Sequence, residues 1–291
     1  MSSDPLVRVT RAALWPVIRD LQADPLPSAQ DLLLQGLLHL PRIARQDGTV
    51  PESQARAELD RIRAWRAREL EPLEHYAATP DQKPRPVDMD IVRIDAPPAA
   101  AVLGHFHYLR SPREDSVNVA AVYSGRIAAI CSISRLDLPL IEQQLPVMRG
   151  EAAVISRVFA FDWAPRNTIS YLLARAERYA SREQGEIRML LTYVNPNLGF
   201  TGASYKAANW LPLGCETGTR YAYLDKRYIT DRRVCQLARA DRLRVEYSRM
   251  PLRPLVLLCR LLDKGLQRAH PKGFHVVVPR LPPGGDDVVL T

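Results

Sequence analysis

The chain has 291 residues, 46% of them hydrophobic, which is ample for one large domain or a medium domain with an appendage. No apolar run approaches the roughly 20 residues of a membrane span, and the start, MSSDPLVRV, lacks a basic segment, an apolar middle and a small-residue cleavage site, so the expectation is a cytoplasmic protein. The net charge of +8 is uneven: between Arg220 and His275 fourteen Lys/Arg stand against five acids, so this segment carries +9 and the remainder −1.

A basic block of this kind suits a polyanion, either nucleic acid (DNA or tRNA) or a phosphorylated cofactor, by field focusing. The other reading is a solvated, arginine-rich surface, and the spacing alone does not choose. Cys131, Cys215, Cys235 and Cys259 are far apart, with no CxxC pair and no histidines at ligand spacing. They read as structural thiols, and no metal is expected.

Residues 5 to about 77 are helical in pattern. Ser28 to Asp31 resembles a capping box ahead of the apolar run Leu32 to Leu40, and Pro51 opens a helix with Ala55, Leu59, Ile62 and Trp65 on one face. This predicts an N-terminal helical region, 1–78, that packs on the main domain or on a partner and holds no catalytic constellation. His39 and His75 read as packing residues. The polar, proline-rich TPDQKPRPV places a linker at 79–88.

A core over 89–230 follows. Met89 to Ile94 reads as a strand, and Asp95 with Pro97 and Pro98 starts a helix through Tyr108. Ser116 to Tyr123 and Arg126 to Ser134 form a hairpin turning at Ser124-Gly125. Then come a strand (Ala153 to Phe161), a helix (Thr168 to Ala180), a strand (Ile187 to Val194) and a polar loop at Asn195-Pro196-Asn197. A short helix from Thr201 to Trp210, with Thr201 as N-cap, precedes two strands around a return flanked by Gly214 and Gly218. The fold class is α/β, one mixed twisted sheet covered by helices on both faces. From Arg232 the pattern is helical again, a basic tail over 231–291 with Arg260, Lys264 and Arg268 in one stripe.

The order of elements resembles the GNAT acyltransferase fold. Arg157, APRNTISYL (Ala164 to Leu172), TYVNPNLGFTGASYKAANW (Thr192 to Trp210) and RYAYLDKRY (Arg220 to Tyr228) resemble the phage Mom family, a GNAT-like group that modifies the exocyclic amine of adenine in DNA. The most specific piece is G-x-T-G-x-x-Y-x-A-x-N-W, Gly199 to Trp210. The resemblance implies an N-acyltransferase with acyl-CoA as donor. Two positions depart from it. Asn195 stands where the family has an aspartate and cannot act as a carboxylate base. The turn Arg166-Asn167-Thr168-Ile169-Ser170, where GNAT enzymes hold the donor pyrophosphate at a helix N-terminus, has no glycine. Those departures, the basic tail and the HYLRS segment (His107 to Ser111) leave open a transferase that uses aminoacyl-tRNA as donor and makes an amide on a small metabolite.

Acyl transfer to an amine needs donor anchoring, oxyanion hydrogen bonds and an acid for the leaving group. Tyr205 is the general-acid candidate, and a core tyrosine is its alternative. Arg157 lies inside an apolar strand and must face a cleft or a carboxylate, with Asp162 as the structural partner in the second case. Arg166, Asn167, Thr168 and Ser170 are expected around the donor phosphates, unless the two hydroxyls only cap the helix. Asn195 and Asn209 either position a substrate or close turns. Lys206, Trp163 and His107 are the remaining substrate-binding candidates, each with a plain reading as a surface or packing residue. There is no GxSxG elbow, P-loop or dinucleotide fingerprint. A third reading, from another class, is a non-catalytic nucleic-acid-binding protein.

Overall fold

The structure, a computed structural model, describes residues 4–21, 26–82, 84–136, 139–183 and 187–279. In the N-terminal region β1 (Leu6–Arg8) pairs antiparallel with β2 (Thr49–Pro51), around this ribbon lie α1 (Arg11–Leu21), α2 (Ala29–His39) and α3 (Glu52–Leu70), and α4 (Glu74–Ala77) follows, with Tyr76 and Ala77 packed against the cluster of Phe106 and Phe161. The Ser28 hydroxyl accepts from Asp31 N at 3.2 Å and starts α2. Leu32, Leu33, Leu37 and Leu38 of that helix are buried, each contributing about 1.5–3 kcal/mol. Ala55, Leu59 and Ile62 of α3 pack in the same cluster, which also takes in Leu198, Tyr221 and Tyr223 from the second half of the chain. The partner of the helical region is therefore the main body. Arg66, fully buried, donates to Asp31, Glu69 and the His105 carbonyl, and the Tyr223 hydroxyl donates to the Leu38 carbonyl at 2.7 Å.

The main body contains β3 (Asp90–Ile94), α5 (Ala96–His105), β4 (Val117–Tyr123), β5 (Arg126–Arg135), α6 (Pro139–Glu142), β6 (Ala152–Ala160), α7 (Thr168–Glu183), β7 (Met189–Val194), α8 (Ala203–Ala207) and β8 (Leu211–Thr217). It continues through β9 (Ala222–Leu224), β10 (Arg227–Ile229), α9 (Asp231–Gln236), α10 (Arg239–Arg242), β11 (Glu246–Tyr247), β12 (Leu255–Leu261), α11 (Lys264–Ala269) and β13 (Val276–Pro279). Eight strands form one mixed sheet in the order β13-β8-β12-β7-β6-β5-β4-β3, and β10-β9-β11 form a small second sheet. Strands β3 to β6 run antiparallel, β7 is parallel to β6, and β12 lies antiparallel between β7 and β8. Leu172, Leu173, Ala176 and Ala180 of α7 cover one face, against Val119, Ala121, Ala129 and Cys131. The β4–β5 turn places Ser124 at φ 48° and Gly125 at φ 74°, the left-handed pair that matches the strand twist.

The parallel pair β6–β7 is short, and this decides where the site lies. Pairing runs from Ala152↔Met189 to Ile155↔Thr192 and stops. Beside it the β5–β6 register shifts between Ser132 and Ile133, so that Ser156 is an extra residue in β6. A bulge bends its strand and re-aims the next side chain. Beyond it β6 stays with β5 while β7 stays with β12, and the two middle strands part.

Three expectations need correction. The C-terminal segment is not a helical tail: Leu255 to Leu261 is β12, hydrogen-bonded on both sides, with Leu257, Leu258 and Cys259 buried. The sheet thus takes a strand from beyond residue 230. A short apolar run has no period to separate a buried strand from a buried helix, and a slot between two strands settled it. Arg260 accordingly shares no helical stripe with Lys264 and Arg268; it donates to Glu177 at 2.9 Å and to the Asn209 carbonyl. The short helix starts at Ala203, with Gly202 at φ 73° as its N-cap in place of Thr201. Gly214 lies within β8, where a Cβ would stand 1.8 Å from the Val276 carbonyl oxygen.

Candidate active site

Where β6 and β7 part, a cleft of about 970 Å³ opens. Arg157 and Val158 of β6 line it, as do Tyr193 and Val194 of β7, Tyr205 of α8, and His107 and Tyr108 from the segment after α5. Ser28, Gln30, Asp31 and Glu74 line it from the N-terminal region.

Arg157 follows the bulge. Its Nε donates to the Ser111 carbonyl at 2.7 Å and its Nη1 to the Ser156 carbonyl at 2.6 Å. Among the described residues no ion pair joins it to Asp162 or to any other carboxylate, and burial pushes its pKa down. Two of its five guanidinium N–H groups are engaged by these carbonyls, which leaves donors for an anion or an oxyanion.

Tyr205 packs against the sheet core and also lines the cleft. Thr192 Oγ1 lies 3.1 Å from the Tyr205 hydroxyl and 3.1 Å from the Ile155 carbonyl. Burial raises the phenol's pKa far above its usual 10. The group stays protonated at neutral pH, which suits a hydrogen-bond donor or acid and excludes a base.

His107 is buried, and its Nδ1 accepts from Leu109 N at 3.2 Å, which places the ring proton on Nε2. Burial, and then the Arg157 charge, hold its pKa well below 6.5. The imidazole is therefore neutral, with its one acceptor nitrogen engaged, so it can donate but not take a proton.

The remaining predicted residues divide. Asn195 lines the cleft, but its Oδ1 accepts from Asn197 N and Nδ2 at 3.0 Å each, and its Nδ2 donates to the Tyr221 hydroxyl at 2.9 Å. It closes a turn and orients Tyr221. Trp163 lines the cleft too. Arg166, Asn167, Thr168 and Ser170 do not, although their neighbour Ile169 does. The Thr168 hydroxyl donates to the Pro165 carbonyl at 2.7 Å and that of Ser170 to the Asn167 carbonyl at 3.0 Å, so both donate back to carbonyls of the turn that leads into α7 and neither accepts an N–H as a helix cap. A phosphate at this turn would rest on the first-turn N–H groups of α7 and on the exposed Arg166. Lys206 and Asn209 are exposed and outside the cleft lining.

Sequence reasoning missed Tyr221 and Tyr228, whose rings meet edge to face at 5.5 Å along the cleft, and it missed the N-terminal wall. The capping pattern at Ser28 was readable, but not that the helix it starts faces the cleft.

The sequence profile of the Mom protein family matches residues 88–253, more than half of the chain. The chain belongs to the Mom protein family. The sheet that carries its cleft is the eight-stranded mixed sheet described above. No curated protein matches this Mom-family chain significantly. Among solved structures it is similar to a probable acetyltransferase from Staphylococcus epidermidis, at 12% identity and TM-score 0.38, over 60% of this chain and 99% of that one. It is also similar to a Bacillus subtilis acetyltransferase in complex with CoA, at 8% identity and TM-score 0.35, again over 60% and 99%. A GNAT-family acetyltransferase from Streptococcus pneumoniae aligns at 14% identity and TM-score 0.32, over 52% of this chain and 69% of that one.

Proposed function

We propose that this Mom-family protein is an N-acyltransferase whose acceptor is the amine of a nucleic-acid base or nucleoside. The carrying observation is the opening between β6 and β7, lined together by a half-buried guanidinium that no carboxylate pairs with among the described residues and by a protonated phenol. In this reading the acceptor nitrogen attacks a thioester carbonyl, and Arg157 donates to the oxygen as it becomes an oxyanion. The C–N bond forms and the C–S bond breaks. The amine proton leaves to water, because Asn195 has no basic group and the acceptor nitrogen of His107 is engaged. The Tyr205 O–H protonates the departing thiolate and regains its proton from solvent.

The nucleic-acid acceptor rests on the basic lobe beside the cleft mouth, where Thr230 and Asp231 line the cleft and the neighbouring Arg232, Arg233, Arg239 and Arg242 are exposed. Acyl-CoA is the proposed donor, held at the α7 N-terminus and Arg166. The test is incubation with a panel of acyl-CoA thioesters and DNA, followed by nuclease digestion and mass spectrometry of the nucleosides. The expected result is an acylated nucleoside that depends on Arg157. Amide formation that disappears with ribonuclease and needs no thioester assigns the donor to aminoacyl-tRNA. Salt-sensitive binding of nucleic acid with no product from any donor makes the protein a binding protein instead.

A further inference from the structure

The parallel pairing of β6 and β7 ends on Ile155↔Thr192, and the cleft opens from that rung. The Thr192 side chain is buried there, with its Oγ1 3.1 Å from the Ile155 carbonyl and 3.1 Å from the Tyr205 hydroxyl. Helix α8 brings Tyr205 to this point: its N-cap, Gly202, lies so close to β7 and β12 that a Cβ would stand 3.0 Å from Leu258 Cδ1 and 3.4 Å from Val194 Cγ2. The Trp210 ring meets the phenol ring edge to face at 5.2 Å and restrains its plane. A threonine hydroxyl has one proton, a carbonyl only accepts, and a phenol gives or takes. Both contacts are hydrogen bonds in one arrangement only, in which Thr192 donates to the Ile155 carbonyl and Tyr205 donates to Thr192.

From this we infer that Thr192 is a positioning residue whose hydroxyl reverses its donation as Tyr205 gives up its proton. The inference rests on the reading of Tyr205 as the acid for the leaving group. At rest Thr192 accepts the phenol O–H and holds it away from the cleft. When the Tyr205 O–H turns to the departing thiolate, the Thr192 O–H turns from the Ile155 carbonyl to the phenol oxygen. The S–H bond forms, the phenol O–H bond breaks, and the negative charge passes from sulfur to a phenolate that accepts from Thr192. Solvent then returns a proton to the phenol, and Thr192 goes back to the carbonyl. Burial works against ionisation of this phenol and the Thr192 contact works for it. A hydroxyl that follows the proton in this way supports the ionised form without admitting water.

The test replaces Tyr205 in the full chain with a trifluorotyrosine, a more acidic phenol, and follows its ionisation by fluorine nuclear magnetic resonance with no acyl donor present. Thr192→Val keeps the shape and removes the hydroxyl; it is expected to weaken the acid about 10–100-fold, the size of a hydrogen bond to a charged oxygen, and Thr192→Ser to restore it. Thr192→Cys, a poorer donor, is expected to fall between them, so the comparison does not depend on the valine variant folding. In thioester transfer by the natural phenol, Thr192→Val is expected to lower kcat about tenfold with KM unchanged, and to have no further effect once Tyr205→Phe is present. Equal titration in parent and variants, or the same loss of kcat in the Tyr205→Phe background as in the parent, overturns the inference and makes Thr192 a structural residue. A weakened phenol with no product from any acyl donor overturns the transferase reading and leaves the hydroxyl pair as described.

Discussion

Replacing Arg157 with methionine is expected to separate activity from stability. Methionine fills much of the side chain's volume without its charge. In the folded protein the guanidinium donates to the carbonyls of Ser111 and Ser156 at 2.7 and 2.6 Å, and hydrogen bonds from a charged donor contribute about 1.5–3 kcal/mol each. Against this stands the cost of holding a cation away from water with no counter-charge, several kcal/mol, whose sign is visible in its lowered pKa. The two effects nearly cancel for this half-buried group, so the unfolding free energy in urea should change by less than about 1.5 kcal/mol. Transfer should fall 10²–10³-fold in kcat/KM, about 3–4 kcal/mol, the size of a lost oxyanion donor. Urea unfolding followed by circular dichroism gives the first quantity, and thiol release from the thioester gives the second. A stability loss above about 3 kcal/mol would make Arg157 a structural residue, and unchanged turnover would take it out of the chemistry.

Tyr205→Phe keeps the packing and removes the proton donor, so kcat should fall about 10²-fold with little change in stability; full turnover in a folded variant removes the phenol from the mechanism. His39 donates from Nδ1 to the Gln35 carbonyl at 2.8 Å and accepts at Nε2 from Tyr228 N at 3.1 Å, and burial lowers its pKa to about 4. Because the folded pKa lies below the unfolded 6.5, its contribution is complete above pH 6.5 and is lost as pH falls towards 4. Between pH 7 and 5 urea stability should drop by about 2 kcal/mol through this group, and His39→Gln should flatten the drop; an unchanged pH slope in that variant contradicts the assignment. Gly214→Ala, with no room before the Val276 carbonyl, should cost about 2–4 kcal/mol in urea unfolding and expose residues 264–279 to protease first, whereas a parent-like midpoint would mean that β13 detaches at little cost.

What the chain by itself determined is local. The capping serine of α2, the alternating hairpin from Val117 to Arg135 and the amphipathic face of α7 follow from period and turn chemistry, and these are carried by residues near one another in sequence. So is the motif from Gly199 to Trp210, which places the chain in its family. Only the tertiary structure decided the rest. Leu255 to Leu261 is a strand because two strands left a gap for it, and no residue within the segment encodes that gap. The roles of Asn195, Thr168 and Ser170 turned on which carbonyl or hydroxyl came within 3.0 Å. The cleft itself arises because Ser156 adds one residue to β6 opposite Ser132, bending two parallel strands apart. A bulge is a relation between strands, and it joins Arg157 to Tyr205, 48 residues later in the sequence, in a single opening.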